Sequence, residues 1–338
     1  MNAAATATER DQVISMITGA WKTQVIGEGV KLGLFDRLGA GESDAGALAE
    51  AAGANADGVM RLLRALAVLG LVSHEGGNRF SLTSRGAYLQ RDAADSLYGL
   101  SGHWSGRMWD SFAGIDESVR TGEASAPSGP EHFVKQQADI AGADVFNRAM
   151  AEGSLRIGRA LAKVYDFSGV RTLRDVGGGY GALLVGPLEA NPGLRGEVFD
   201  LPTLSEAALA WLEGQGVGGR AAYLGGSFFE GVPDGADCIM LKFILHDWND
   251  ARSLAILENC RKAIGDGRIL VIERIVPEKV SAADEDVIRG DLTMLTVGGK
   301  ERTEAEYRTL LGEAGLEITR IVPIDAGYSA IEARARPA

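Results

Sequence analysis

The sequence predicts an α/β protein: a doubly wound, mostly parallel sheet, preceded by a mainly helical region that ends in a small hairpin. Three observations predict it. From residue 170 onward, short apolar runs alternate with helical stretches, the pattern of strands joined by crossover helices. A glycine-rich turn, DVGGGYG, follows the first of those runs and opens a helix. Before residue 95, apolar residues recur at helical spacing and then give way to two short runs around Gly-Gly-Asn.

The chain has 338 residues, more than one ordinary domain needs. Its texture divides it into 1–100, 101–168 and 169–338. In the first part, Val13, Ile17, Ala20 and Trp21 fall on one helix face, and a second apolar stretch runs through Val25, Val30, Leu32 and Leu34. Asn55 is placed to cap a helix carrying Val59, Leu62, Leu63, Leu66 and Leu69. LVSHEGGNRFSLT then reads as a hairpin, so the order helix, helix, hairpin describes a winged helix. Such a fold often reads DNA. Residues 9–95 carry nine Lys/Arg against eleven Asp/Glu, so the basic footprint of a DNA reader is missing. Packing or dimerisation is the expected role.

Residues 96–165 carry Trp104, Trp109, Phe112, Phe133, Phe146 and Met150 and look helical, with a loop at EASAPSGP. Aromatics at such spacing are more often core than ligand box. Beyond them, candidate strands are 171–176, 196–199, 221–224, 237–242, 268–273, 316–322 and 328–334, with helices at 181–190, 204–214, 251–264 and 303–314. Right-handed crossovers make most of that seven-stranded sheet parallel, and ligands of such sheets bind beyond the carboxyl ends of the strands.

Composition excludes several roles. The net charge of −12 argues against nucleic acid or anionic membrane as a main partner. MNAAATATERDQ lacks the basic start and apolar core of a signal peptide. No apolar run approaches the ~18 residues needed to span a bilayer. Cys238 and Cys260 sit in apolar contexts. These features together fit a reduced cytoplasmic compartment.

Chemistry is expected at the strand ends. Gly177, Gly178, Gly179 and Gly181 allow a tight turn and close backbone approach to a ligand, and Asp200 of VFDLP ends the second strand. An acid there can bind the two hydroxyls of a ribose. Asp175 stands just before the glycines. It would repel a dinucleotide pyrophosphate but suits a ligand with an ammonium and a sulfonium, as in S-adenosylmethionine.

LKFILHDWND follows the fourth strand and places His246 near the carboxyl edge. A lone histidine in apolar company is commonly a core residue. Here it follows a nucleoside site in the same sheet, and two carboxylates come later at a strand end and a loop, Glu273 and Glu301. The bland reading of Glu273 is a solvated strand end. That of Glu301 is helpful charge before a helix that Thr303 caps and Glu306 completes.

With DVGGGYG, FDLP, GSFFEGVP, LKFILHDWND, ERIVPE and GGKERT in this order, the chain resembles the S-adenosylmethionine-dependent small-molecule O-methyltransferases. These are the plant caffeate and hydroxyindole type and their bacterial natural-product relatives. The resemblance covers nearly the whole chain. It implies an N-terminal winged-helix dimerisation domain that helps close the partner's substrate cavity, and a C-terminal Rossmann-like methyltransferase domain. It also implies a homodimer that converts the cofactor to S-adenosylhomocysteine while methylating a small aromatic acceptor. By resemblance, His246 matches the general base, and Glu273 and Glu301 match the carboxylates flanking it. Asp175, Gly177, Gly179, Asp200 and Leu201 match the methionine and ribose side of the cofactor, with Ser154 a hydroxyl near its methionine end. Lys242, Ser227 and Phe228 match the adenine side. Asp247, Phe146, Met150 and Met294 match positions lining the acceptor. Plant members usually carry an acid where this chain has Ser227, and the segment from Met294 to Gly298 is shorter here. A plant phenylpropanoid acceptor is therefore not implied.

Methyl transfer to oxygen then needs a base and alignment with the donor. A carboxylate on the far ring nitrogen, from Glu273 or Glu301, would fix the tautomer and stabilise the imidazolium. No Asp, Asn or His cluster shows metal-ligand spacing in the sequence, and none is expected to be needed. Three readings stay open beside O-methylation: hydroxylation or decarboxylation by a non-methylating relative, N-methylation, and a winged-helix regulator that senses the cofactor.

Overall fold

The computed structural model describes residues 8–336 apart from 139 and 326. The chain forms two compact units, 1–109 and 110–338.

In the first unit, α1 (Glu9–Thr18) starts at Thr8, whose hydroxyl accepts from the Asp11 N–H. It buries none of its residues in the chain: Val13 is 52% and Ile17 75% exposed. The expected single face through Trp21 is also broken, because α1 ends before Gly19 and Trp21 opens α2 (Trp21–Lys31). Three short helices follow, α3 (Leu34–Gly39), α4 (Ala45–Ala51) and α5 (Ala56–Val68). Asn55 caps α5 through the Gly58 N–H, and Val59, Leu63 and Leu66 are buried, whereas Leu62 and Leu69 are half-buried. Strands β1 (Val72–Gly76) and β2 (Arg79–Leu82) pair antiparallel around Gly77, which takes a left-handed backbone. Phe80, Leu34, Phe35 and Leu48 complete this core. Helix α6 (Tyr98–Ser105) packs on α2. Helix α7 (Arg107–Ala113) carries the point of division between the units.

The second unit begins with α8 (Ile115–Thr121), α9 (Pro130–Ala138) and the long α10 (Ile140–Val164). Strands and helices then alternate: β3 (Thr172–Val176), α11 (Ala182–Ala190), β4 (Arg195–Asp200), α12 (Ser205–Gly214), β5 (Ala221–Gly225), β6 (Cys238–Lys242), α13 (Asp250–Ile264) and β7 (Arg268–Val276). After these come α14 (Glu285–Val297), β8 (Arg302–Thr303), α15 (Glu304–Glu313), β9 (Leu316–Pro323) and β10 (Tyr328–Ala335). The sheet order is β5-β4-β3-β6-β7-β10-β9, with β3 to β7 parallel and β10 antiparallel to both its neighbours. All seven expected strands are present. The two-residue β8, paired with Ile275 and Val276, is an addition.

The central strands read as unbroken apolar runs because both faces are covered. Cys238 and Met240 face the layer that holds α10 and α11, while Ile239 and Leu241 face the layer that holds α13 and α15. Parallel register brings the ends of β3, β4, β6 and β7 to one edge, and Asp175, Asp200, Lys242 and Glu273 stand there.

Candidate active site

The turn that carries His246 is built by its backbone contacts. After Lys242, Phe243 adopts a left-handed backbone (φ 57°), unusual for an aromatic residue. A single 3-10 turn, Leu245–Asp247, follows. Oε1 of Glu273 accepts from both the Ile244 and the Leu245 N–H, each at 3.1 Å. Arg302 is fully buried and donates to the carbonyls of Leu245 (2.8 Å) and Trp248 (2.9 Å) and to Asp250 (2.8 Å). The Lys300 N–H donates to the His246 carbonyl at 2.9 Å. Gly299 lies so close that a Cβ there would stand 2.0 Å from that carbonyl oxygen. Trp248 packs against Phe133, Phe228 and Phe229.

The His246 side chain is 7% exposed. Its Nδ1 lies 3.0 Å from Glu301 Oε1 and 3.8 Å from Glu273 Oε2. In the neutral ring, the Glu301 contact assigns the proton to Nδ1 and leaves the Nε2 lone pair for an incoming hydroxyl. Asp247 Oδ1 stands 3.5 Å from Nε2, and the Phe243 ring stacks on the imidazole at 4.4 Å. Burial alone would depress the histidine. The charges of Glu273, Glu301 and Asp247, with the Glu301 hydrogen bond, outweigh it and lift His246 to about 9. Burial likewise raises Glu273 to about 7, opposed by the neighbouring imidazole.

Between the two carboxylates expected to orient the base, the geometry divides the work. Glu301 holds the ring and Glu273 holds the loop. The solvated-strand-end reading of Glu273 fails: the residue is 0% exposed, and its strand continues to Val276. Thr303 does cap α15 with Glu306 in a capping box, as its sequence indicates. The absence of metal-ligand spacing is a property of the sequence alone. In the fold, donor atoms of His246, Glu273 and Glu301 lie within 4.8 Å of one another.

The glycine-rich turn lies beside this cluster. Gly177 takes a left-handed backbone (φ 70°), and a Cβ there would meet Ile244 Cδ1 at 2.3 Å. Asp200 receives the N–H groups of Gly179 (2.8 Å) and Leu201 (2.6 Å), which fixes its carboxylate at the end of β4. Asp175 is 2% exposed, and burial lifts its carboxyl to about 7, opposed by Lys242. Among the described residues no hydrogen bond reaches the Asp175 carboxylate. Lys242, brought down to about 8 by burial against the pull of Glu273 and Asp175, lies 4.1 Å over the Phe243 ring. Its ammonium thus feels both Asp175, beside the glycine turn, and Glu273, beside the base. Phe228 would lie 3.4 Å from a Gly177 Cβ, and Ser227 Oγ accepts the Phe229 N–H at 3.3 Å.

These residues fit S-adenosylmethionine. A buried carboxylate without a donor suits an ammonium, the fixed Asp200 suits a ribose diol, and the space in front of Gly179 is open, with no atom within 4 Å of a Cβ there. Phe146, Met150 and Ser154 recur every four residues along α10, all half-buried, and Met294 is half-buried on α14. Among the described residues no hydrogen bond or ring contact ties Met150, Ser154 or Met294 to the His246 cluster.

The sequence reading missed four residues. Arg302 and Gly299 lock the turn. Asp291 fixes Glu301 by accepting its N–H at 3.0 Å. Phe243 stacks on the base. Arg302 and Gly299 sit inside GGKERT, but an arginine and a glycine before a helix look like surface and turn. Their contacts cross about fifty residues of chain.

Two family models match: an O-methyltransferase domain over residues 115–317 and an O-methyltransferase dimerisation domain over residues 14–92. The mitomycin biosynthesis 6-O-methyltransferase of Streptomyces lavendulae is 38% identical over 334 residues, 96% of this chain and 94% of that one. The crystal structure of LaPhzM superposes with a TM-score of 0.92 at 33% identity, over 97% of this chain and 100% of that one. NcsB1, an O-methyltransferase from neocarzinostatin biosynthesis, was crystallised with S-adenosylmethionine and 2-hydroxy-5-methyl naphthoic acid. It matches with a TM-score of 0.77 at 32% identity, over 93% of this chain and 96% of that chain. With both domains matched and these relatives covered almost end to end, the chain belongs to the S-adenosylmethionine-dependent O-methyltransferase family.

Proposed function

We propose that this chain methylates a hydroxyl of a small aromatic acceptor of natural-product type, with His246 as general base. The observation that carries the base assignment is the 3.0 Å contact between Glu301 and Nδ1 of His246, which leaves Nε2 as the acceptor in the neutral ring. When bound, S-adenosylmethionine supplies a methyl group already activated by its sulfonium. The chain's own residues do the rest. His246 takes the hydroxyl proton at Nε2, Glu301 steadies the resulting imidazolium, and Glu273 with Arg302 keeps the turn in place. Asp200 and Leu201 hold the ribose side, Asp175 the ammonium, and Ser154 the methionine end. Gly177 and Gly179 leave room for the cofactor, while Ser227, Phe228 and Lys242 border it. Phe146, Met150, Asp247 and Met294 line the acceptor. The NcsB1 complex with a hydroxy-naphthoic acid supports an aromatic acceptor.

Mass spectrometry of the product decides the chemistry. An acceptor heavier by ~14 Da means methyl transfer; one heavier by ~16 Da means oxygen insertion and sinks the proposal (ordinary mass arithmetic).

The domains we assign are a winged-helix dimerisation domain over 1–100, a cavity-lining helical segment over 101–168 and the Rossmann-like domain over 169–338. The functional unit is a homodimer in the cytoplasm with no nucleic acid partner. The exposed α1 stripe of Val13, Met16 and Ile17, 52%, 76% and 75% exposed, supports the dimer. Among the described residues no helix is long and apolar enough to cross a membrane. Ile17→Glu is expected to shift the protein from dimer to monomer in sedimentation velocity; an unchanged dimer would remove α1 from the interface.

A further inference from the structure

Arg274 is out of balance with its surroundings. It follows Glu273 on β7, and its guanidinium lies 4.6 Å over the Tyr328 ring and 5.4 Å over the Phe243 ring. Its Nε is buried with no hydrogen-bond partner. Among the described residues no carboxylate or carbonyl pairs with any of its N–H groups. A guanidinium has five donors in a planar fork, and Arg274 is half-buried, so its unpaired donors can take an incoming anion. Lys242, the neighbouring cation, already faces Asp175 and Glu273. Among the described residues Arg274 has two aromatic neighbours and no ion pair.

Its position says where the missing anion comes from. The Phe243 ring under Arg274 is the ring that stacks on His246. A side chain at Gly290 of α14 would begin 3.6 Å from Nη1 of Arg274 and 3.0 Å from Oε1 of Glu301, which holds His246. Arg274 and Glu301, the carboxylate that holds the base, therefore lie close together beside Gly290 of α14. Of the cofactor-side residues, Lys242 shares the Phe243 ring with Arg274, and the two carboxylates stand farther off. Asp175 and Asp200 end β3 and β4, and β6 lies between β3 and β7, so about 10 Å of sheet separates β7 from the nearer of them.

We propose that Arg274 is the receptor for a carboxylate on the acceptor, so that the preferred acceptors are aromatic hydroxy acids. This rests on the methyl-transfer reading for the identity of the acceptor. The planar fork takes a carboxylate through two parallel hydrogen bonds, and the rings of Phe243 and Tyr328 hold it flat. Binding of the acid also fixes the ring's orientation, which selects the hydroxyl presented to His246.

The test measures binding without turnover. The full-length protein is saturated with S-adenosylhomocysteine and titrated calorimetrically with 3-hydroxy-2-naphthoate, its primary amide and 2-naphthol. The wild type is expected to prefer the acid over the amide. Arg274→Met, which keeps the stem over Tyr328, should weaken the acid about 10- to 100-fold and leave the two neutral probes within about twofold. Arg274→Lys should recover part of the loss, which a folding defect would not allow. Equal loss for all three probes, or no preference for the acid in the wild type, overturns the proposal. So does a loss that falls on S-adenosylhomocysteine instead, which would give Arg274 to the cofactor's own carboxylate. Failure here leaves the mass of the methylated product untouched, so the two readings fail separately.

Discussion

His246→Ala and His246→Gln are expected to lower turnover by ~10²-fold or more, while S-adenosylhomocysteine binding by calorimetry stays near wild type. The reason is quantitative. A phenol ionises near ~10 and an ordinary imidazole near ~6.5, so unassisted proton transfer is uphill by about 3.5 units, roughly 5 kcal/mol. With His246 lifted to about 9, the gap to a phenol narrows to about one unit, or ~1.4 kcal/mol. Most of the assistance comes from carboxylates that do not touch the acceptor. Cofactor binding should survive because the residues proposed to hold the cofactor, Asp175 and Asp200 at the ends of β3 and β4 and Ser154 on α10, are left in place. Near-normal turnover in either variant would remove His246 as the base.

Gly299→Ala is expected to cut turnover by about 10²-fold at little cost in cofactor affinity, although no functional atom is deleted. Its Cβ would stand 2.0 Å from the His246 carbonyl oxygen and 3.0 Å from the Asp247 carbonyl carbon. Both are backbone atoms, so the turn itself must move. That turn is held from the other side by Arg302 and by the Glu273 carboxylate. Overpacking of this kind costs about 1–3 kcal/mol, and a misplacement of about 1 Å at a reacting group costs about 10²-fold. Single-turnover kinetics with saturating cofactor, together with a melting curve, separates the two effects. A variant that melts early but turns over normally would mean that the turn is not what positions the base.

How much of this was legible in the sequence follows from how far each interaction reaches along the chain. CIMLK and RILVIE read as buried strands because α/β sheets cover both faces, and the Thr303 capping box spans only four residues. Asp200 was visible because a strand end, an acid and a preceding glycine turn are all local. The division between Glu273 and Glu301 was not visible. Both are acids near strand ends, and only the fold shows that one faces a ring nitrogen and the other two backbone amides. Arg302 is the clearest failure of local reading. An arginine next to a helix start is ordinarily solvated, yet this one is fully buried against carbonyls more than fifty residues earlier. The α1 stripe is the opposite case: its apolar spacing is legible, yet among the described residues none of the helix is buried.

The most direct test of the central claim is the pH dependence of kcat/KM at saturating cofactor, in the wild type and in Glu301→Gln. The neutral imidazole is the active form, and three carboxylates hold the proton on it. Near pH 7 only about 1% of His246 is then neutral. The rate should climb about tenfold per unit through neutrality and level off only near pH 9. Glu301→Gln removes one of the charges that raise the histidine, so its inflection should move to lower pH and its plateau should fall. A wild-type profile already flat from pH 7 upward, with an inflection near ~6.5 that Glu301→Gln leaves in place, would contradict the account.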